Sequence, residues 1–368
     1  MKKISLAVSS LLLTSSLFAD NSLSDAIKGG TVSGDVTLYG ERQNNSGVNA
    51  DSGFTMGSIQ LSYETAEYNG FKAAVGFRGN HDFSEVEDGD YSDGSESKAI
   101  MHTANASYTN KYFGLTLGRQ EIDLEWMGDF HEAAVLAVSA IPDTTLVFGY
   151  SQRIAVADED AVLEDFADLA NGAFVIDAKY EGIENLVLNP YFYNVDIDTG
   201  DSSWYGLKVD YDTDVFGITL HGAKSSEDAL DVEDGKIYHI EGRTNLAGFG
   251  LMAGYVKTGD DGIGSMDAAG DNINPFDAIA GGDGNQVYSQ DARTAYLGAT
   301  YTIADIDLTA VYGQTKYEFD DKKENEFDFS AEYAITEELA IAATYINVDA
   351  DSSIDDYDKV SLTLQYSF

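Results

Sequence analysis

The chain has 368 residues, of which 64 are Asp or Glu and 21 are Lys or Arg, so its formal net charge is −43. Such a surface repels nucleic acid, and the absence of cysteine excludes a fold held together by disulfide bonds. Glycine (36 residues), tyrosine (23) and phenylalanine (18) are abundant, and no Pro-rich or Ser-rich linker interrupts the chain. The composition therefore predicts one large domain.

The first 19 residues have the composition of a secretory signal peptide. Lys2 and Lys3 precede an apolar stretch, and Ala19 offers a small residue for cleavage. Residues 20–30 form a short segment, in which Ser22 to Lys28 suit a helical turn that two glycines stop. Beyond the signal, no run approaches the roughly 18 to 20 apolar residues that a membrane helix needs.

From Thr31 to Phe368, apolar and polar residues alternate with a period of two. Phe71, Ala73 and Val75, for example, alternate with more polar or smaller neighbours, as in a β-strand that has one apolar face and one polar face. About eighteen such segments can be counted, with sixteen as the alternative. The last is Val360 to Phe368, which ends the chain on an aromatic residue.

Short and long connections alternate along the chain as regularly as the strands do. The short turns lie near 66–70, 109–111, 141–143, 181–185, 212–216, 246–248, 303–305 and 336–338. The longer polar loops lie at 43–52, 81–97, 121–130, 155–171, 196–202, 225–235, 259–290, 320–323 and 349–356. A soluble β-sandwich has no reason to place all long loops at one end, whereas an up-and-down antiparallel transmembrane β-barrel does. The predicted fold class is therefore all-β, a barrel over residues 31–368 with short turns at one end and long loops at the other.

The cations support this interpretation, since a Lys or Arg that faces lipid at the midplane costs roughly 2–4 kcal/mol. Five mid-strand cations share the polar parity and are expected to face the lumen: Lys72, Arg78, Lys179, Lys208 and Arg243. Arg119 and Arg293 take the apolar parity, but each lies near a long loop, where depth no longer penalises charge.

The signal peptide, the even strand count and the terminal Phe368 make the chain resemble a Gram-negative outer-membrane porin. The eighteen segments and the stretch from Gly118 to Ala133 resemble the Opr-type (OprD-like) porin family in particular. This resemblance implies the bacterial outer membrane, with short turns and residues 20–30 on the periplasmic side and long loops outside the cell. It also implies that the barrel-assembly machinery recognises Tyr366 and Phe368, and that the protein contacts outer-membrane lipid and lipopolysaccharide, with a homotrimer as one expected form.

Eighteen strands close with a backbone radius of roughly 18 Å, which side chains alone cannot fill. A selective pore then needs loops that fold inward, and two loops are candidates. Residues 121–130 carry acidic side chains around Trp126, and residues 158–172 have helical spacing in their apolar residues and suggest a packed plug. The predicted constriction residues are Arg119, Glu121, Asp123, Glu125, Trp126, Asp129, Glu132, Asp165 and Asp168. The predicted basic lumen residues are Lys72, Arg78, Arg153, Lys179, Lys208 and Arg243. The alternative is that both loops are solvated and that these charges form salt bridges in a polar lumen.

The sequence does not predict an enzyme or a tightly bound cofactor. His131 and Glu132 begin like a zinc-protease motif, but Val135 stands where the second histidine belongs. Acidic loop residues, namely Asp260, Asp261 and Asp283, are candidates for loosely bound Ca²⁺, with a solvated acidic face as the alternative.

Two functions of different classes remain. The first is passive diffusion of small hydrophilic solutes and ions through a water-filled channel, with a preference for cations because of the acidic charge. The second is a structural or adhesive surface barrel, which the long acidic loop at 259–290 suggests.

Overall fold

The computed structural model describes residues 22–47, 49–92, 98–197, 200–228, 232–270, 272–278, 285–319, 321–351 and 356–368. The predicted signal peptide, residues 1–19, lies outside these ranges and stays a prediction. Within them, eighteen strands form one antiparallel sheet. Each strand pairs with the next along the chain, and the last pairs with the first, so the sheet closes into a barrel. No helix in this part of the chain is long and apolar enough to cross a membrane.

One short helix precedes the barrel: α1 (Leu23–Lys28). The first nine strands are β1 (Thr31–Asn45), β2 (Ser52–Glu64), β3 (Phe71–Glu85), β4 (Ala99–Thr109), β5 (Phe113–Glu121), β6 (Phe130–Val138), β7 (Thr144–Val156), β8 (Glu164–Ile183) and β9 (Leu186–Ile197). The remaining nine are β10 (Gly200–Asp212), β11 (Phe216–Glu227), β12 (Lys236–Leu246), β13 (Phe249–Thr258), β14 (Arg293–Ile303), β15 (Ile306–Tyr317), β16 (Lys322–Ala334), β17 (Leu339–Ala350) and β18 (Tyr357–Ser367). The eighteen-strand prediction is confirmed, and the sixteen-strand alternative is wrong.

The connections follow the predicted order. All eight predicted short turns coincide with hairpins between an even-numbered strand and the strand that follows it, so they lie at one end of the barrel. Asn69, Asp143, Asn185 and Asp305 adopt positive φ in four of these turns, a conformation that Asn and Asp tolerate better than most residues. The predicted long loops therefore lie together at the other end, but the long loop predicted at 196–202 is wrong, since β9 ends at Ile197 and β10 begins at Gly200. Three of the long loops matter below: L3 (residues 122–129), L4 (residues 157–163) and L7 (residues 259–292).

The two faces of the barrel wall differ as the alternation predicts. On β18, Val360, Leu362 and Tyr366 are about half exposed on the outer face, while Thr363 lies on the inner face beside a cavity. The same alternation around the barrel produces an outer belt of exposed Leu, Ile, Phe and Tyr side chains. Such a belt suits contact with lipid, because a transmembrane barrel presents apolar side chains to the hydrocarbon core.

Helix α1 lies beneath the first short turn. The Ser22 hydroxyl caps it by accepting the backbone N–H of Asp25 at 3.2 Å. The carbonyl of Ala26, which is buried, accepts the N–H of Ala66 in the turn at 3.0 Å. The predicted helical turn at this end of the chain is thus present and docked on the barrel.

The predicted helical plug in residues 158–172 is wrong, because β8 is already extended from Glu164. Arg153 pairs with Asp168 and Ile154 with Ala167, so this stretch belongs to the β7–β8 ladder. The ladder has register shifts between Ser151 and Arg153 and between Ile154 and Val156. Leu163, Phe166 and Leu169 are buried as predicted, but not in a helix: Leu163 in L4 packs in one cluster with Phe166 of β8, and Leu169 packs in another.

Candidate functional site

L3 folds into the lumen and is anchored there by polar contacts. Trp126 is fully buried, and its indole N–H donates to the Tyr191 hydroxyl at 2.8 Å. The Tyr191 hydroxyl also forms a hydrogen bond of 2.6 Å with Nε2 of His221. Glu125 lies 3.3 Å from Nδ1 of His221 and accepts from Lys208 at 2.8 Å. Two predicted constriction residues, Glu125 and Trp126, therefore lie in a packed anchor of the loop.

L7 also folds inward and packs against L3. The N–H of Gly128 donates to the carbonyl of Ala269 at 2.7 Å, and the Asn272 amide donates to the carbonyl of Leu124 at 3.0 Å. Gly270 has φ +137°, and a Cβ there would collide with the backbone of Gly128, so this close approach requires glycine. L7 buries these apolar residues: Ile263, Met266, Ile273, Phe276, Val287 and Tyr288. Together with Trp126 and wall residues they form a dry core inside the barrel.

Three inward carboxylates of β16 hold the far side of L7. Asp328 accepts the backbone N–H of Asp277 at 2.9 Å, and Glu326 accepts that of Ala278 at 3.1 Å. Glu324 accepts the N–H of Gln286, also at 3.1 Å. Each of the three carboxylates is only 2% exposed. These bonds fix Asp277 beside the wall formed by β16 and β17.

L4 lies inside the barrel against β1, β2 and β3. The buried guanidinium of Arg78 makes a bidentate pair with Asp35, at 3.0 and 2.9 Å. A carboxylate oxygen of Glu159 in L4 lies 3.6 Å from the same guanidinium. Asn80 donates its side-chain amide to the carbonyls of two L4 residues, at 3.2 and 2.9 Å. L4 therefore contacts the wall at β1 to β3, whereas the far side of L7 is held on β16.

A cavity of about 390 Å³ remains between L4, L7 and the wall of β15 to β18 and β1. It extends along β17 from Ile346, near the loop end, to Ala340, near the turn end, a path of about 20 Å at strand spacing. Its charged lining residues are Glu159, Asp160, Asp277, Asp307, Glu332 and Lys359. Five of these six carry negative charge. Asp307 and Glu332 are cross-strand partners near the turn end, so carboxylates lie at both ends of the cavity.

The predicted inward cations all have carboxylate partners. Lys208 pairs with Glu125 and Arg78 with Asp35, as described above. Near the turn end the pairs are Lys72–Glu64 at 2.6 Å, Lys179–Glu181 at 3.1 Å and Arg243–Asp212 at 2.7 Å. Paired cations contribute little net positive field to the lumen.

Four predicted residues form a separate cross-strand row at the loop ends of β5 to β8. In this row Arg119 lies opposite Glu132, Glu132 opposite Arg153, and Arg153 opposite Asp168. Arg153 lies 2.8 Å from Asp168, and the Arg119 guanidinium lies 4.2 Å from the ring centre of Phe166. The row is on the strand face opposite His131, which packs on L3, so the prediction that Arg153 faces the lumen is wrong, and none of the four lines the cavity.

The remaining predicted acidic residues surround the base of L3. Glu121 ends β5, Asp123 lies in L3, and Asp165 is exposed near the start of β8. Asp129 closes L3, and its pKa is raised to about 6, first by burial and then by the nearby carboxylates Asp158, Glu164 and Glu121. None of these residues lines the cavity.

The sequence reasoning missed all six charged lining residues: Glu159, Asp160, Asp277, Asp307, Glu332 and Lys359. Lys359 follows the polar parity of the last strand and could have been found in that way. Asp160 and Asp277 could not, because their position depends on how L4 and L7 fold.

The predicted Ca²⁺ ligands and the predicted assembly signal lie in different parts of the molecule. Asp260 and Asp261 lie in a tight turn at the start of L7, while Asp283 lies outside the described residues. Within the described ranges, no three His, Asp or Glu side chains are grouped to hold a metal ion.

At the C-terminus, Phe368 exchanges two backbone hydrogen bonds of 3.0 Å with Gly34 of β1. Tyr366 and Phe368 are both about half exposed on the outer face, and their role in assembly stays a prediction.

Comparisons with known proteins place this geometry in context. The profile of a family described as Gram-negative porin matches residues 5–353. No curated protein matches the sequence. Among solved structures, OccK3 (OpdO) of Pseudomonas aeruginosa is 16% identical, with a TM-score of 0.74 over 94% of this chain and 97% of that one. OccK9 (OpdG) of the same organism is 14% identical, with a TM-score of 0.75 over 93% and 99%. OccAB1 of Acinetobacter baumannii is 12% identical, with a TM-score of 0.74 over 93% and 97%.

Proposed function

Since this chain belongs to the Gram-negative porin family and so forms an outer-membrane channel for small solutes, we propose that the channel prefers cations and that its narrowest path is the cavity beside β15 to β18. The expected likeness to OprD-like porins is confirmed in the fold. The single observation that carries the proposal is the charge of the cavity lining, five carboxylates against one ammonium.

The physical reason is the short distance between a permeating ion and the lining. Charges on a wide barrel wall would be screened within a Debye length of about 8 Å. L3, L4 and L7 instead confine the path to one side of the lumen, so that a solute passes close to Asp160 and Asp277. A ring of carboxylates at close range raises the local concentration of cations and lowers that of anions.

The test is the reversal potential of the purified channel in a planar bilayer under a KCl gradient. We expect the wild type to give a cation-selective potential. The double variant Glu159→Gln, Asp160→Asn should reduce the permeability ratio of K⁺ to Cl⁻ severalfold. The double variant Glu87→Gln, Asp88→Asn, the same two changes in an exposed loop away from the cavity, serves as the control and should leave the ratio unaltered. An anion-selective wild type, or equal effects of both double variants, would refute the proposal.

The adhesive surface barrel receives no support from the loop that motivated it. The described part of L7 packs within the lumen against L3 and β16, and its apolar residues are buried there. A loop in this position offers little surface to another cell.

Two partner predictions accompany the channel function. We expect Tyr366 and Phe368 to be recognised during barrel assembly, and a homotrimer is one expected form of the protein, with a monomer as the alternative. Native mass measurement in detergent distinguishes the two forms: three protomer masses indicate the homotrimer, and a single protomer mass indicates the monomer.

A further inference from the structure

We propose that Glu41 makes the path selective for solutes that carry an ammonium group, by binding Lys359, the only cation that could otherwise bind a carboxylate among the described residues that line the cavity. This inference rests on the proposed function, because it concerns the same cavity. It adds a substrate class, small alkylammonium solutes rather than carboxylates, and a specificity-determining residue that does not itself line the cavity.

Glu41 is held between two donors on the wall. Its Oε2 accepts the Tyr39 hydroxyl at 2.7 Å and lies 2.7 Å from the Lys359 ammonium. The side chains of Lys359 and Glu41 are only 27% and 15% exposed. A charge-assisted bond of this length in a partly buried site holds Lys359 against β1 instead of letting it extend into the path. Among the described lining residues, Lys359 is the only cation.

A solute with a carboxylate therefore meets no cation that is available to it. To bind Lys359 it would have to displace Glu41, and it would do so while facing Asp160 and Asp277 across the cavity. A solute with an ammonium group meets carboxylates at both ends of the path. Between these ends, Ala340, Ala342 and Ile346 give an apolar strip that an alkyl chain can contact.

The experiment compares two ions of equal length and opposite charge, butylammonium and butyrate. Bi-ionic reversal potentials against KCl give the permeability of each relative to K⁺. In the wild type we expect butylammonium to pass and butyrate to be excluded. In Glu41→Gln, Lys359 is released, and the relative permeability of butyrate should rise about fivefold, the factor that one unit charge at about 4 Å gives in water.

Two further variants make the result specific. Glu64 forms another inward ion pair, 2.6 Å from the Lys72 ammonium, and neither residue lines the cavity. Glu64→Gln removes the carboxylate of this pair and should leave butyrate excluded. Glu41→Gln combined with Lys359→Gln should restore exclusion, because the released cation is then absent. The inference is overturned if Glu41→Gln leaves butyrate permeability unchanged, or if the double variant still passes butyrate. A wild type that prefers Cl⁻ to K⁺ would instead refute the proposed function, and a cation-selective wild type that passes butyrate as readily as butylammonium would refute only this inference.

Discussion

Leu362→Lys tests which face of the barrel meets lipid. Leu362 is the sixth of eleven residues in β18, and it is 51% exposed on the outer face. At a strand tilt of about 40° and about 3.3 Å per residue, it lies roughly 13 Å below either end of the strand. A lysine side chain reaches about 6 Å, so its ammonium cannot reach water from this depth.

The neighbours of Leu362 offer the new charge no partner. Its cross-strand residues are Gly40 of β1 and Ala343 of β17, neither of which can pair with an ammonium. The cost should therefore be the full value for a lysine at the midplane, about 2–4 kcal/mol. Thr363→Lys is the matched control, because the adjacent residue faces the water-filled cavity.

The assay is the free energy of unfolding in urea after refolding into lipid vesicles. We expect Leu362→Lys to lose about 2–4 kcal/mol and Thr363→Lys to lose less than about 1 kcal/mol, while the second variant lowers cation conductance. Equal losses at the two positions would show that the outer face does not contact lipid. If Thr363→Lys lost more unfolding free energy than Leu362→Lys, the assignment of Thr363 to the inner face and Leu362 to the outer face would be wrong.

Two other predictions concern L3. The pKa of Asp129 is about 6 in the folded protein, above its ordinary value. Protonation of Asp129 therefore stabilises the folded state: this contribution to the free energy of unfolding is fully present below about pH 4 and is lost as the pH rises through 6. Asp129→Asn, which keeps the shape and suits the positive φ, should thus raise the melting temperature at pH 7.5 but not at pH 4, as measured by heat-dependent gel mobility; a larger gain at pH 4 would contradict the sign. Glu125→Gln should lower stability by about 3 kcal/mol, because it leaves Lys208 and His221 without their buried carboxylate, yet should leave the K⁺ to Cl⁻ permeability ratio unchanged in bilayers. A changed ratio would instead make L3 part of the constriction.

The strands and turns that form the wall of the barrel could be predicted from the sequence. A period of two is set by each strand locally, and the turn residues, such as Asn185 and Asp305, mark the hairpins locally as well. The parity of Lys72 and Lys208 was therefore predictable, and both face inward as expected.

The position of the path was not predictable, because it depends on contacts between residues far apart in the chain. The acidic residues around Trp126 have the composition of a constriction, yet Trp126 is buried against Tyr191, 65 residues further along. Asp277 reaches the cavity only because Asp328 on another strand accepts its N–H. The spacing of Leu163 and Phe166 is typical of a helix, but Leu163 lies in L4 and Phe166 in β8, and the two pack in one buried cluster with residues of other strands.

The contacts of L7 also determine when the interior of the barrel can be completed. The indole N–H of Trp204 on β10, which precedes the loop, donates to Ser265 of L7, and the backbone N–H of Ala278 in L7 donates to Glu326 of β16, which follows the loop in the chain. L7 therefore cannot take up its final position until β16 has joined the sheet. A chain that ends before β16 would lack the carboxylates that hold the far side of L7, and the passage would not be narrowed.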